Sequence, residues 1–197
     1  MKDLDAIFSP QAVAVVGAST TPGKVGHDIF VNILKGGFTG TLYPVNPKAK
    51  AIAGVRAYPS VADIPDEIDL AMIILPPHLA VKAIDDAIHK GVKGVVVVSA
   101  GFREVGSEGR AIEDRIVAMC REAGVRMVGP NCLGVVYAGD GEHAGLNTFF
   151  IPEEKFKVNL EQEKNVAILT QSGAAGIMEI YNLRSAISPK AIVSYGN

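Results

Sequence analysis

Short apolar runs rich in β-branched residues recur along the chain, and segments with a helical pattern lie between them. Six such runs are found, the three clearest first: 12–17, 70–75, 95–98, 41–45, 126–128 and 166–169. None of the first three alternates polar with apolar residues, so each is predicted to be a strand buried on both faces. Such strands are typical of a parallel sheet covered by helices.

Two of the intervening segments have one apolar face at helical spacing, residues 78–90 and 107–123. Each is followed directly by a glycine, the residue most often found just beyond a helix C-terminus. Strand and helix alternating through short connections predict an α/β fold built on a doubly wound parallel sheet.

A polar, aperiodic stretch interrupts this pattern at 138–164, and a new strand–turn–helix unit begins at Asn165. Residues 191–195 are predicted to form one more strand. Two strands cannot bury a sheet alone, so we expect the sequence to be the front part of a longer protein. The predicted organisation is a complete domain, a linker and an incomplete second α/β unit: 1–140, 141–164 and 165–197.

Composition narrows the class of protein. With 197 residues, 48% hydrophobic and 20% charged, the chain is not disordered. Its net charge of -2 argues against a general nucleic-acid binder. The N-terminus has no secretory signal pattern and no apolar run approaches the roughly 18 residues of a membrane span. Cys120, Cys132 and the scattered histidines match no disulfide or metal-ligand spacing. A soluble cytoplasmic protein without a metal site is therefore predicted.

The turn after the first strand, residues 17–26, is rich in glycine and hydroxyl side chains. At such a strand–helix turn, backbone N–H groups point at an anion, although a plain flexible turn stays open as an alternative. The GxGxxG fingerprint of dinucleotide-binding proteins is absent. The second strand ends at Asn46 and Lys48, where an NAD-binding protein has an acidic residue. A cation there favours NADP or the 3′-phosphate of coenzyme A, unless Lys48 is only a solvated lysine.

Further candidates follow the later strands, at the edge where an open α/β sheet binds its ligand. Pro76 would stiffen one wall, and Gly101 would let a ligand approach the backbone. Cys132 follows the fifth strand and is predicted to be structural or ligand-lining rather than a nucleophile. A second glycine turn at 170–176 predicts another anion site, so two phosphorylated species are expected.

Four ordered motifs carry a family resemblance over essentially the whole chain: Val-Val-Gly-Ala-Ser at 15–19, Pro-Val-Asn-Pro-Lys at 44–48, Glu-Ala-Gly-Val-Arg-Met-Val-Gly-Pro-Asn-Cys-Leu-Gly at 122–134 and Gln-Ser-Gly-Ala at 171–174. With these motifs, the chain resembles the α part of the nucleoside-diphosphate-forming acyl-CoA synthetases. The specific resemblance is to ADP-forming acetyl-CoA synthetase, and succinyl-CoA synthetase is a more distant relative.

The resemblance implies a Rossmann-like CoA-binding domain followed by the start of a flavodoxin-like phosphate-binding domain. It also implies positions along a bound CoA. These are Gly17, Ser19, Thr20 and Lys24 at the pyrophosphate; Asn46 and Lys48 near the adenosine phosphate; Pro76, Ser99, Ala100 and Gly101 along the pantetheine; Asn131 and Cys132 near the thiol; and, in the second unit, Ser172, Gly173 and Ala174 at a phosphate.

The family reaction converts acyl-CoA, ADP and phosphate into acid, ATP and CoA through an acyl phosphate and a phosphohistidine. That histidine lies beyond the Ser-Tyr-Gly-Asn segment 194–197, so no catalytic residue is assigned. By resemblance, ATP or ADP, Mg²⁺, an ATP-grasp β subunit or fused C-terminal domain, and an oligomer belong to the complete enzyme. Two alternatives stay open: a non-catalytic CoA-sensing or regulatory module, and an NADP-binding oxidoreductase domain.

Overall fold

The computed structural model describes residues 4–140, 145–151, 165–183 and 189–197. A 3₁₀ turn at Arg103–Val105 precedes the fourth of the α-helices. The α-helices are α1 Asp5–Phe8, α2 Val25–Lys35, α3 Pro77–Lys90, α4 Ser107–Glu122 and α5 Gly173–Leu183. The strands are β1 Ala12–Val16, β2 Thr41–Val45, β3 Ala51–Ile52, β4 Val55–Arg56, β5 Leu70–Ile73, β6 Gly94–Val97, β7 Arg126–Val128, β8 Gly134–Tyr137, β9 Leu146–Asn147, β10 Val166–Thr170 and β11 Pro189–Ser194.

The first sheet has five strands in the order β2-β1-β5-β6-β7, and every neighbouring pair is parallel. The predicted α/β class with a Rossmann-like, doubly wound parallel sheet is confirmed. Successive strands are added on one side of β1 and then on the other, so the order reverses between β1 and β5. In such sheets the ligand crevice lies at this switch point, outside the carboxyl ends of the strands.

Helices cover both faces of this sheet, which explains why its strands are apolar at consecutive positions. Val13 and Val15 face α2 and pack with residues such as Phe30. Ala14 and Val16 face α3 and α4. All four strand residues are at most 5% exposed, and burying one side chain of the size of Phe30 contributes about 1.5–3 kcal/mol.

A second, mixed sheet has four strands in the order β10-β11-β8-β9. Strands β10 and β11 are parallel, as a second α/β unit predicts, whereas β8 runs antiparallel to β11. Strand β8 was not predicted from the sequence. Because the second sheet takes strands from both sides of residue 140, the domain boundaries at 140 and 164 stay predictions.

Strand β8 belongs to the second sheet and contacts the hydrophobic cores of both sheets. Val135 packs with the α2 side of the first sheet, while Val136 packs with Ile192 in the second sheet. The buried hydroxyl of Thr148 accepts a hydrogen bond from Val135 N at 2.8 Å and donates one to Val135 O at 2.9 Å. Within the described ranges, no helix is long and apolar enough to cross a membrane.

Candidate functional site

The turn that follows β1 is pressed against the end of β5. Gly17 has φ +93°, and a Cβ atom on it would lie 2.2 Å from the carbonyl oxygen of Ile74. A Cβ atom on Gly26 would lie 2.1 Å from the Gly17 carbonyl oxygen. Glycine at both positions therefore lets α2 begin close to the switch point of the sheet.

Two side chains accept hydrogen bonds from backbone amides of the turn, and Lys24 N donates to Thr21 O at 3.2 Å. Ser19 Oγ accepts from Thr21 N at 3.1 Å, and Asp28 Oδ1 accepts from Gly23 N at 3.1 Å. These bonds hold the backbone of the turn in place without a ligand.

Other amides of the same turn are free to bind an anion. Four of them have no protein acceptor in the part of the chain that the structure describes: Ser19, Thr20, Val25 and Gly26. The last two amides open helix α2, where the helix dipole adds positive potential. Lys24, directly before the helix, is exposed. This geometry suits a phosphate or pyrophosphate group.

Asn46 joins the end of β2 to this turn. Its Nδ2 donates to Ala18 O at 2.8 Å, and its Oδ1 accepts from Lys48 N at 2.8 Å. The Asn46 side chain therefore holds the two loops together, and the Lys48 side chain is exposed beside them. The assignment of both residues to an adenosine phosphate stays a prediction.

A cleft of about 370 Å³ lies between the first sheet and the second unit. It brings together six residues predicted from the sequence: Ser99, Ala100, Asn131, Cys132, Gly173 and Ala174. Pro76 and Gly101 lie on the adjacent loops but do not line it. The remaining lining residues were not predicted: Val25, Ile74, Val98, Leu133, Phe150 and Ser194. Nearly all of these are apolar, and an apolar side chain carries no chemical signature that sequence reasoning could have used.

Cys132 is buried at the base of the cleft, and its Sγ donates to Val97 O at 3.2 Å. Burial raises the pKa of this thiol to about 12. Because the thiolate is the nucleophilic form, burial favours the predicted lining role of Cys132 over a nucleophilic one.

The second glycine turn meets the cleft from the opposite side. Helix α5 begins at Gly173, where a Cβ atom would lie 2.3 Å from Leu133 Cγ. Ser172 Oγ accepts from Ala175 N at 3.4 Å. Among the described residues, the amides of Ser172, Gly173 and Ala174 have no protein acceptor. This geometry suits a second anion next to the same cleft.

A polar cluster joins the end of β11 to the loop after β6; we call Arg103, Glu104, Glu113 and Asn197 the Asn197 cluster. Asn197 Nδ2 donates to Glu104 Oε2 at 2.7 Å and to Glu113 Oε2 at 3.2 Å. The Arg103 guanidinium forms an ion pair with Glu113, which is 2% exposed. Burial by itself would raise the pKa of Glu104, but hydrogen bonds from Gly101 N and Asn197 lower it below the usual value.

The Asn197 cluster was not predicted either, because Asn197 is 93 residues from Glu104 and 84 residues from Glu113 along the chain. No group of three or more His, Cys, Asp or Glu side chains in the described ranges could hold a metal ion.

Residues 11–138 match the family model described as CoA binding domain. The chain belongs to this family. Over 195 residues it is 40% identical to the alpha subunit of ADP-forming acetate–CoA ligase II of Pyrococcus furiosus, covering 98% of this chain and 40% of that protein. It is 39% identical over 196 residues to ADP-forming acetate–CoA ligase I of Archaeoglobus fulgidus, covering 98% of this chain and 27% of that protein.

Among solved structures, the chain resembles the dinucleotide-forming acetyl-coenzyme A synthetase 1 of Ca. Korarchaeum cryptofilum in complex with phosphate and ADP. The TM-score is 0.86 at 40% identity, covering 100% of this chain and 40% of that one. The resemblance stated from the motifs is confirmed. The chain spans less than half the length of these relatives.

Proposed function

We propose that this chain is the CoA-binding portion of an ADP-forming acid–CoA ligase. The reaction interconverts acyl-CoA, ADP and phosphate with acid, ATP and CoA. The observation that carries the proposal is one cleft with a free-amide turn on each side, at 17–26 and at 170–176. A dinucleotide-binding oxidoreductase domain needs only the first of these turns.

In this proposal, CoA lies along the carboxyl edge of the first sheet. The four free amides of the first turn and Lys24 hold the pyrophosphate, and Lys48 pairs with the 3′-phosphate. The pantetheine passes Pro76 and the loop 99–101 into the cleft, where its thiol lies near Asn131 and Cys132. The amides at Ser172, Gly173 and Ala174 hold the phosphate on the opposite side.

The remaining parts of the reaction belong to the complete enzyme. We infer that ATP or ADP and Mg²⁺ bind to an ATP-grasp β subunit or a fused C-terminal domain, in a cytoplasmic oligomer. The phosphorylated histidine would lie further along the α part, beyond the segment 194–197. The coverage of the relatives supports a further domain or subunit, since this chain spans only 40% of the Pyrococcus furiosus alpha subunit.

Calorimetric titration with CoA and dephospho-CoA tests the proposal. We expect the wild type to bind CoA about tenfold more tightly than dephospho-CoA, because a charge-assisted contact to the 3′-phosphate is lost. Lys48→Ala should reduce CoA affinity to the level of dephospho-CoA. Lys82→Ala is the matched control, since Lys82 is an exposed lysine on α3 that pairs with Asp86. Tighter binding of NADPH than of CoA would contradict the proposal and favour an NADP-binding oxidoreductase domain.

A further inference from the structure

One side of the cleft is lined by apolar side chains, which cannot themselves bind a phosphate group. Val25, Leu133 and Phe150 line this side. Phe150 is half-buried and packs against the α2 side of the first sheet's core. A wall of this kind contacts a hydrocarbon group, because it offers neither a hydrogen bond nor a charge.

A single side chain fixes the backbone on both sides of Phe150. Asn32 of α2 donates from Nδ2 to Phe149 O at 2.6 Å and to Ile151 O at 2.9 Å, the two carbonyls that flank Phe150. Phe149 is 1% exposed and packs in the core of the second sheet. The backbone on either side of Phe150 is therefore anchored, and the aromatic ring forms a fixed wall.

We propose that Phe150 limits the size of the acyl group that this protein accepts. The inference rests on the proposed function. The predicted thiol end of CoA at Asn131 and Cys132 and the phosphate turn at Gly173 converge in the cleft. A thioester carbonyl must lie between them, so the carbon chain attached to it points toward the apolar side. A short unbranched chain fits beside the ring, whereas an aromatic acyl group collides with it.

The test is calorimetric titration of the purified protein with CoA, acetyl-CoA and phenylacetyl-CoA. We expect the wild type to bind phenylacetyl-CoA about tenfold more weakly than acetyl-CoA. Phe150→Ala should remove most of this difference and leave CoA affinity unchanged. Phe150→Trp should act in the opposite direction and weaken acetyl-CoA relative to CoA. Leu169→Ala is the control, because Leu169 is an apolar residue that is 70% exposed and does not line the cleft.

Asn32→Ala tests whether the ring must be held. Loss of both hydrogen bonds should reduce the discrimination between the two acyl-CoA compounds severalfold, with CoA affinity unchanged. If Phe150→Ala binds CoA normally but keeps the wild-type ratio of acetyl-CoA to phenylacetyl-CoA affinity, this inference is overturned and the proposed function is not. A Phe150→Ala protein that loses affinity for CoA itself also overturns it, because the ring then contacts the pantetheine. Failure of the wild type to bind CoA would overturn the proposed function and this inference together.

Discussion

Replacing Asn197 by aspartate tests whether the Asn197 cluster holds the second unit against the first. In the wild type, the side-chain amide donates to Glu104 Oε2 at 2.7 Å and to Glu113 Oε2 at 3.2 Å. Asn197→Asp has almost the same shape but turns both donor contacts into contacts between carboxylates. We expect this substitution to lower the free energy of unfolding substantially.

The magnitude follows from the geometry. Two unit charges about 4 Å apart interact with about 4 kcal/mol at an effective dielectric constant of about 20. A hydrogen bond to a charged group contributes about 1.5–3 kcal/mol. Glu104 lies on an exposed loop and can turn toward water, but Glu113 is 2% exposed and cannot. We therefore expect a net loss of about 2–4 kcal/mol for Asn197→Asp and about 1–2 kcal/mol for Asn197→Ala.

The assay is urea denaturation at neutral and at mildly acidic pH. The added carboxylate makes a cluster of negative charges that costs free energy only in the folded variant. Its destabilising effect is therefore largest at neutral pH and shrinks as the pH falls and the carboxylates take up protons. The wild type behaves in the opposite sense. The pKa of Glu104 is lowered in the folded state, so its stabilising contribution is present at neutral pH and is lost as the pH falls through that lowered value.

Asn147→Asp is the matched control, because Asn147 Oδ1 accepts from Phe149 N at 3.0 Å and a carboxylate keeps that bond. It should change the stability little. If Asn197→Asp unfolds at the same urea concentration as the wild type at neutral pH, the cluster does not stabilise the junction. A deficit that is equal at both pH values would refute the electrostatic explanation.

Two further predictions concern Gly17 in the first turn and the two buried cysteines. Gly17→Ala should cost about 2–3 kcal/mol of stability and weaken CoA binding, because φ is +93° and the new Cβ would meet Ile74 O at 2.2 Å. Urea denaturation and calorimetry measure this, and a neutral effect contradicts the close approach. Burial raises the pKa of Cys120 to about 11 and that of Cys132 to about 12. Ellman's reagent should therefore modify both thiols at least about a hundredfold more slowly in the native protein than in urea at the same pH; a fast native phase would contradict their burial.

Much of the first sheet could be predicted because its signal is local. Strands β2 and β7 lie at the predicted bounds. The three central strands β1, β5 and β6 could be found because a strand buried on both faces is an uninterrupted apolar run. Strand β8 could not be found in this way. Its pairing partner β11 lies more than 50 residues further along the chain. Its apolar run is short and begins with a glycine, so it has no clear strand pattern.

Only part of the candidate site could be predicted from the sequence. Ser99 and Asn131 lie together because the carboxyl ends of parallel strands share an edge, and the order of strands and helices along the chain is enough to predict that edge. Gly173 follows a strand of the second sheet, so its place in the same cleft could not be predicted in this way. Phe150 and Asn197 reach the site through packing of the second sheet against the first. Nothing in their local sequence indicates this, since it depends on contacts between distant segments.

The position of β8 has a consequence for how the two glycine turns, at 17–26 and 170–176, can move relative to each other. Leu133, just before β8, contacts the turn at 170–176, and its N–H donates to Ser194 Oγ at the end of β11 at 3.2 Å. Strand β8 itself pairs with β11 while Val135 is anchored in the first core. Separating the turn at 170–176 from the first turn therefore requires breaking backbone hydrogen bonds. The spacing between the two turns is fixed by the protein itself and does not depend on a ligand.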